Sequence, residues 1–220
     1  MKGLIKKDFA ILKIQKRFFF IIFAIGIMFL FSNTEESSIG ASSYIIMLTA
    51  LFSLGTLSYD EFENGMPFLL TLPFTRKDYV KEKFVFSFIG TAFTAALFLI
   101  LAILTIHFHN SSECISDLLI TTITVYMIAC LLIAIIIPIQ LKYGTEKKQI
   151  VLASTFLIVF AVLFVGKFLI EKFGLQENLS NFTTTYINDK IVFLSIIMIT
   201  GILIAILYKV SVHIIEKKEY

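Results

Sequence analysis

Residues 59–83 read YDEFENGMPFLLTLPFTRKDYVKEK, and their contrast with what lies on either side decides the fold. Nine of them are charged (Asp60, Glu61, Glu63, Arg76, Lys77, Asp78, Lys81, Glu82 and Lys83), whereas the flanking runs Ile39–Ser58 and Phe84–Ile106 carry no charge at all. An uncharged apolar run of about 20 residues is long enough to cross the hydrocarbon core of a bilayer. The stretch between the two runs is therefore expected to be a water-exposed loop joining two membrane spans.

That loop has internal structure. Gly65, Pro67 and Pro73 punctuate it, which predicts short helical pieces broken by turns. Between the prolines lies Phe68-Leu69-Leu70-Thr71-Leu72, an apolar run with acidic residues before it and basic residues after it. Exposed apolar surface of this kind calls for a covering partner. Thr75 followed three residues later by Asp78 reads as a capping box, which starts the helix that becomes the next span.

Working outward, the whole chain is built for a membrane. It has 220 residues, 58% hydrophobic and 16% charged, and a mean hydropathy of +0.90. Six runs are candidate spans: Phe18–Phe31, Ile39–Ser58, Phe84–Ile106, Leu118–Ile139, Ile150–Phe168 and Ile191–Val212. The first is short and borrows residues from its flanks. One all-α transmembrane domain over residues 1–220 is expected, without room for a soluble catalytic domain.

Sixteen of the 19 lysines and arginines fall on one side of this topology. That side holds the amino-terminal segment, the 59–83 loop, the Lys142–Lys148 turn and the tail. Only Lys167, Lys172 and Lys190 fall on the other. By the positive-inside rule both termini and the long loop face the cytoplasm. The small net charge of +3 gives no case for nucleic acid, while its uneven placement suits an anionic leaflet.

Met1–Arg17 has helical periodicity, with Lys2, Lys6, Lys13 and Arg17 on one face and Leu4, Ile5, Phe9, Ile11 and Leu12 spread over the other; Asp8 is the exception. A basic amphipathic helix before a span is expected to lie on the membrane surface. In the second span Thr49, Ser53 and Thr56 share a face beside Gly55. Such hydroxyls either bond back to their own helix or line a polar path for a transported solute.

Several chemistries are missing from the sequence. No span carries an Asp, Glu, Lys, Arg or His in its middle, which removes the usual groups for proton relays and ion coupling. The phosphate-loop pattern of nucleotide hydrolases is absent as well. His107 and His109 lie near Glu113 and Asp117, but without a further Cys or His cluster they read as loop residues rather than metal ligands. No metal, cofactor or catalytic constellation is expected, so the energy for any active transport has to come from another protein.

The residues that would receive it resemble a known family, the ABC-2 type permeases of bacterial ATP-binding cassette transporters. The likeness rests on Glu63-Asn64-Gly65, Leu69-Leu70, Leu72-Pro73 and Thr75-Arg76-Lys77-Asp78-Tyr79-Val80, ending at Lys83. The opening Met1-Lys2-Gly3-Leu4-Ile5-Lys6-Lys7-Asp8 is similar to the family's amino-terminal elbow helix, here residues 1–17. The resemblance implies a bacterial cytoplasmic membrane protein, two permease subunits paired in the bilayer, and a separate ATPase chain that holds the ATP and Mg. It also implies that residues 59–83 form a coupling helix docking on that ATPase. Carried over by position, Glu63, Asn64, Gly65, Leu69, Leu70, Leu72, Pro73 and Arg76 are the docking candidates; Asp60 and Glu61 join them on charge alone. Small members of the family often export peptides. The family's carbohydrate-exporting branch usually lines its path with many aromatics, whereas here the 24 Phe are scattered and there is no Trp, so the cargo that the resemblance implies is an amphipathic or hydrophobic peptide. The competing expectation is an immunity protein that sequesters a peptide without pumping it.

Overall fold

A computed structural model describes residues 2–30, 37–61, 65–109, 115–144 and 189–218. Every element among the described residues is an α-helix: α1 (Lys2–Ile14), α2 (Lys16–Leu30), α3 (Ser37–Glu61), α4 (Gly65–Leu70), α5 (Arg76–His109), α6 (Ile115–Tyr143) and α7 (Asp189–Lys217). Four of them are long and apolar enough to cross a membrane, over Ile39–Glu61, Arg76–His107, Ile115–Tyr143 and Ile197–Lys217, and Phe19–Leu30 is a shorter apolar helix. The expected run Ile150–Phe168 lies outside the described residues.

α3 is the hub, packing on α2, α5 and α6, with α4 and α1 at one end; α7 packs on α6 and α5. Lipid tails are as apolar as leucine, so membrane helices associate by close packing, which small residues allow. α3 has them in quantity: Ala41, Ser42, Thr49, Ala50, Ser53 and Thr56 are all buried. Larger side chains fill the layers between. Ile46, Leu54 and Leu57 join Ile133, Ile137 and Leu141 of α6 in one core, and Ile45 joins Phe98 and Ala102 of α5 in a second. At α2 the approach is closer still, because a Cβ added to Gly26 would fall 2.5 Å from the Ile45 side chain and 2.9 Å from that of Phe98. The Phe23 and Phe98 rings meet edge to face with centroids 5.1 Å apart.

Three expectations change. The amino-terminal helix does not run unbroken to Arg17: it ends at Ile14, and the Gln15 N–H is shared between the carbonyls of Ile11 and Leu12, a local tightening of the turn. Arg17 therefore belongs to α2. The helix of the fourth span, expected over Leu118–Ile139, runs from Ile115 through Pro138 to Tyr143. Within a packed bundle, neighbouring helices satisfy the groups that a proline frees. α6 then stops at Gly144, which has φ +74° and donates its N–H to the Gln140 carbonyl at 2.8 Å, the left-handed helix cap that glycine makes without strain.

The third change concerns the charged stretch. α3 runs on to Glu61 and α5 starts at Arg76, so the connection is shorter than residues 59–83. Asp60, Glu82 and Lys83 are not in water but buried, at 4%, 1% and 2% exposure. The reason is that they pair with one another and with α1.

Candidate functional site

The capping box forms as expected. The Thr75 hydroxyl donates to Asp78 Oδ2 at 2.7 Å, the Thr75 N–H reaches the same oxygen at 3.2 Å, and the Asp78 N–H returns to the Thr75 hydroxyl at 3.1 Å. This reciprocal pair satisfies the first donors of α5. It fixes where the connection ends and sets the register of Arg76, Tyr79, Glu82 and Lys83 on the helix that follows.

Lys83 is the centre of a buried charged cluster. Its ammonium lies 2.5 Å from Asp8 Oδ2 of α1 and 2.7 Å from Asp60 Oδ2 of α3, and donates at 3.4 Å to the Thr56 hydroxyl. The Tyr79 hydroxyl donates to the same Asp60 oxygen at 3.0 Å. Asp60 Oδ1 takes its hydrogen bond from Lys7, whose ammonium is also 3.3 Å from Asp8 Oδ1. Glu82 completes the cluster with a carboxylate 3.9 Å from Lys83. Burial of this kind is tolerable only when each charge finds opposite charge and hydrogen bonds. Asp60 meets that condition fully, with Lys7 on one oxygen and Lys83 and Tyr79 on the other. Three helices are thereby fastened at one end: α1 through Lys7 and Asp8, α3 through Asp60, and α5 through Tyr79 and Lys83.

A second polar lock brings in α6 and α7. Arg76 Nη1 donates to the carbonyls of Ile215, Glu216 and Lys218 at 2.8, 2.9 and 2.9 Å, capping the last turn of α7. A guanidinium there meets both the unpaired carbonyls and the negative end of the helix dipole. Lys218 reaches across to the Leu141 carbonyl of α6 at 2.8 Å and to Glu61 of α3 at 3.7 Å. The amino-terminal helix, the 59–83 stretch and the end of α7 thus share one end of the bundle.

Over these locks sits α4. Met66 and Leu69 are buried at 2% and 8%, facing the core that contains Tyr79, Val80 and Ile215, whereas Phe68 is 70% exposed and Leu72 41%. Pro67, Thr71 and Pro73 share the exposed face. The helix closes with Thr71 and Leu72 N–H bonds to the carbonyls of Phe68 and Leu69. Its entry is equally tight, since a Cβ on Gly65 would lie 2.7 Å from the Asp60 carbonyl oxygen, a backbone atom. Only glycine fits so close an approach.

The docking candidates consequently separate. Leu72 and Pro73 are exposed beside Phe68, which the position-by-position carry-over did not include. Leu69 points inward, Asp60 is consumed by the cluster, Glu61 pairs with Lys218, and Arg76 caps α7. Glu63 and Asn64 lie outside the described residues, as does the Leu70 side chain. Thr49, Ser53 and Thr56 are buried at 5%, 5% and 1%, and each hydroxyl donates to a carbonyl of its own helix, at 2.8, 2.8 and 2.9 Å. Sequence reading missed Lys7, Tyr79 and Lys83 as partners of Asp60 and Asp8 as the partner of Lys83; the one signal was Asp8, a lone acid in an otherwise basic segment.

A family model described as an ABC-2 family transporter protein matches residues 3–216, nearly the full span from α1 to the end of α7. The chain belongs to the ABC-2 transporter family. No curated protein and no solved structure matches it. As an ABC-2 family member it is a multi-pass membrane component of a transporter, of a kind that works in general with an ATP-binding cassette partner.

Proposed function

We propose that this ABC-2 family member is the permease subunit of an exporter and that a separate ATPase chain drives it by docking on the exposed face of α4 and the turn after it. The observation that carries this reading is the two-sided character of α4. Phe68 and Leu72 face outward while Met66, Leu69 and the Gly65–Asp60 contact hold the same helix rigidly on α3 and α5. A flexible loop would absorb a push. A short helix seated on two spans delivers it to them.

In this mechanism ATP and Mg are bound by the partner, and closure of the ATPase presses on Phe68, Leu72 and Pro73. Asp60 at the end of α3 and Lys83 in α5 respond together because they share one ion pair, so both spans tilt as a unit. Two such permease subunits pair in the bacterial cytoplasmic membrane with the α4 end inward, as the clustering of basic residues favours. The cargo class that suits so apolar a chain is an amphipathic or hydrophobic peptide. In membranes holding both subunits, Phe68→Asp with Leu72→Asp is expected to abolish co-purification of the ATPase and peptide export together. Unchanged co-purification sinks the docking surface. Protection against the peptide that persists when the partner's ATP hydrolysis is abolished sinks export in favour of sequestration.

A further inference from the structure

One face of α1 and α2 remains outside the machinery described so far. Lys6, Phe9, Ala10 and Lys13 recur at helical spacing on α1, and Phe20, Phe23, Ala24 and Ile27 repeat the same spacing on α2. With Lys16 and Phe19 between them, they line one groove of about 900 Å³. Its walls are almost wholly apolar, Lys6, Lys13 and Lys16 lending mainly their hydrocarbon stems at the α1 end. Phe9 and Phe20 are 62% and 75% exposed in it, and Ile27 41%.

The lysines distinguish this groove from an ordinary lipid-facing surface. Lys7 and Lys83 are consumed by Asp8 and Asp60, but Lys6, Lys13 and Lys16 have no carboxylate partner among the described residues. An ammonium stays at the headgroup level of a bilayer because burial in hydrocarbon is prohibitive. That fixes the depth of the groove: its lysines sit among headgroups, and Phe20, Phe23 and Ile27 follow over the next turns, one above another, into the acyl region. A ligand that fits has an anionic head and a hydrocarbon tail, and is available in the plane of the membrane.

We propose that the α1–α2 groove is a binding site for an anionic glycerophospholipid, with the phosphate held by Lys6, Lys13 and Lys16 and one acyl chain laid along Phe20, Phe23 and Ile27. A bound lipid then becomes part of the support for α1, the helix that supplies Lys7 and Asp8 to the buried cluster. The site is independent of ATPase docking, which uses α4.

The test is retention of phosphatidylglycerol against phosphatidylcholine by the full-length chain, purified in mild detergent and measured by native mass spectrometry. Lys6→Gln, Lys13→Gln and Lys16→Gln together are expected to lower phosphatidylglycerol retention at least about tenfold and to leave phosphatidylcholine unchanged. Lys81→Gln, Lys142→Gln and Lys209→Gln remove the same charge from exposed sites elsewhere and are expected to have no effect. Ala24→Phe, which fills the groove without touching a charge, is expected to displace the lipid as well. Equal retention of the two lipids by the unmodified chain, or equal loss in the control triple variant, overturns the proposal. So does cross-linking of Ala24→Cys between two copies in phosphatidylglycerol membranes, which would make the groove a permease contact.

Discussion

The Lys83 ammonium and the Asp60 carboxylate lie 2.7 Å apart with both side chains only 2% exposed, tying the start of α5 to the end of α3. Removing one partner of such a pair leaves an uncompensated buried charge, which typically costs about 3–5 kcal/mol. Lys83→Met is therefore expected to destabilise the chain by that order, read as a large fall in its thermal transition in detergent. Adding Asp8→Asn and Asp60→Asn to it is expected to recover a substantial part. Full additivity of the losses would show that the three groups do not act together.

Glu82 makes the opposite prediction. It is one of three buried carboxylates, with Asp8 and Asp60, that share the two ammonium groups of Lys7 and Lys83, and Lys83 is 3.9 Å away. Glu82→Gln is expected to leave the thermal transition unchanged or to raise it, by roughly 1 kcal/mol at most. A loss as large as that of Lys83→Met would mean that this carboxylate is an essential counter-charge.

Gly65→Ala forces a methyl group against the Asp60 carbonyl. Overpacking of a backbone contact costs roughly 1–3 kcal/mol, and here the strain falls on the seat of α4. We expect the variant to reach the membrane but to couple poorly. On the proposed function, the measure is the ratio of cargo transported to ATP hydrolysed, which should fall while ATPase binding persists.

Arg76→Lys is not a conservative change. A single guanidinium nitrogen, Nη1, meets three carbonyls at the end of α7, and a lysine has a shorter reach and a flexible head that is not pre-organised for that position. Losing the cap is expected to cost about 1–2 kcal/mol locally. Hydrogen exchange should quicken over the last turn of α7 in Arg76→Lys and more so in Arg76→Gln, with α2 unaffected. Unaltered exchange at Ile215 and Glu216 would dissociate Arg76 from the cap.

The parts of this arrangement that were legible in the sequence are those set by local spacing. Apolar runs gave the spans that the structure describes, and Thr75 and Asp78, three residues apart, gave the start of α5. What escaped was the partner of each charge. Asp8 and Lys83 are 75 residues apart, and nothing along the chain says that α1 crosses both α3 and α5 at that height. Charge contrast correctly marked Asp60 and Lys83 as polar, but polar was then equated with wet, although a paired charge at a helix end satisfies itself without water. α4 is too short for periodicity to tell the inward Leu69 from the outward Phe68; only the packing of Met66 distinguishes them.

The Arg76 cap carries a consequence for biogenesis. The carbonyls it grips belong to the last helix, while the shelf it steadies was synthesised about 140 residues earlier. On the docking mode proposed above, a polypeptide still threading into the bilayer would present an unfinished seat to its motor until the α7 carbonyls reach Arg76.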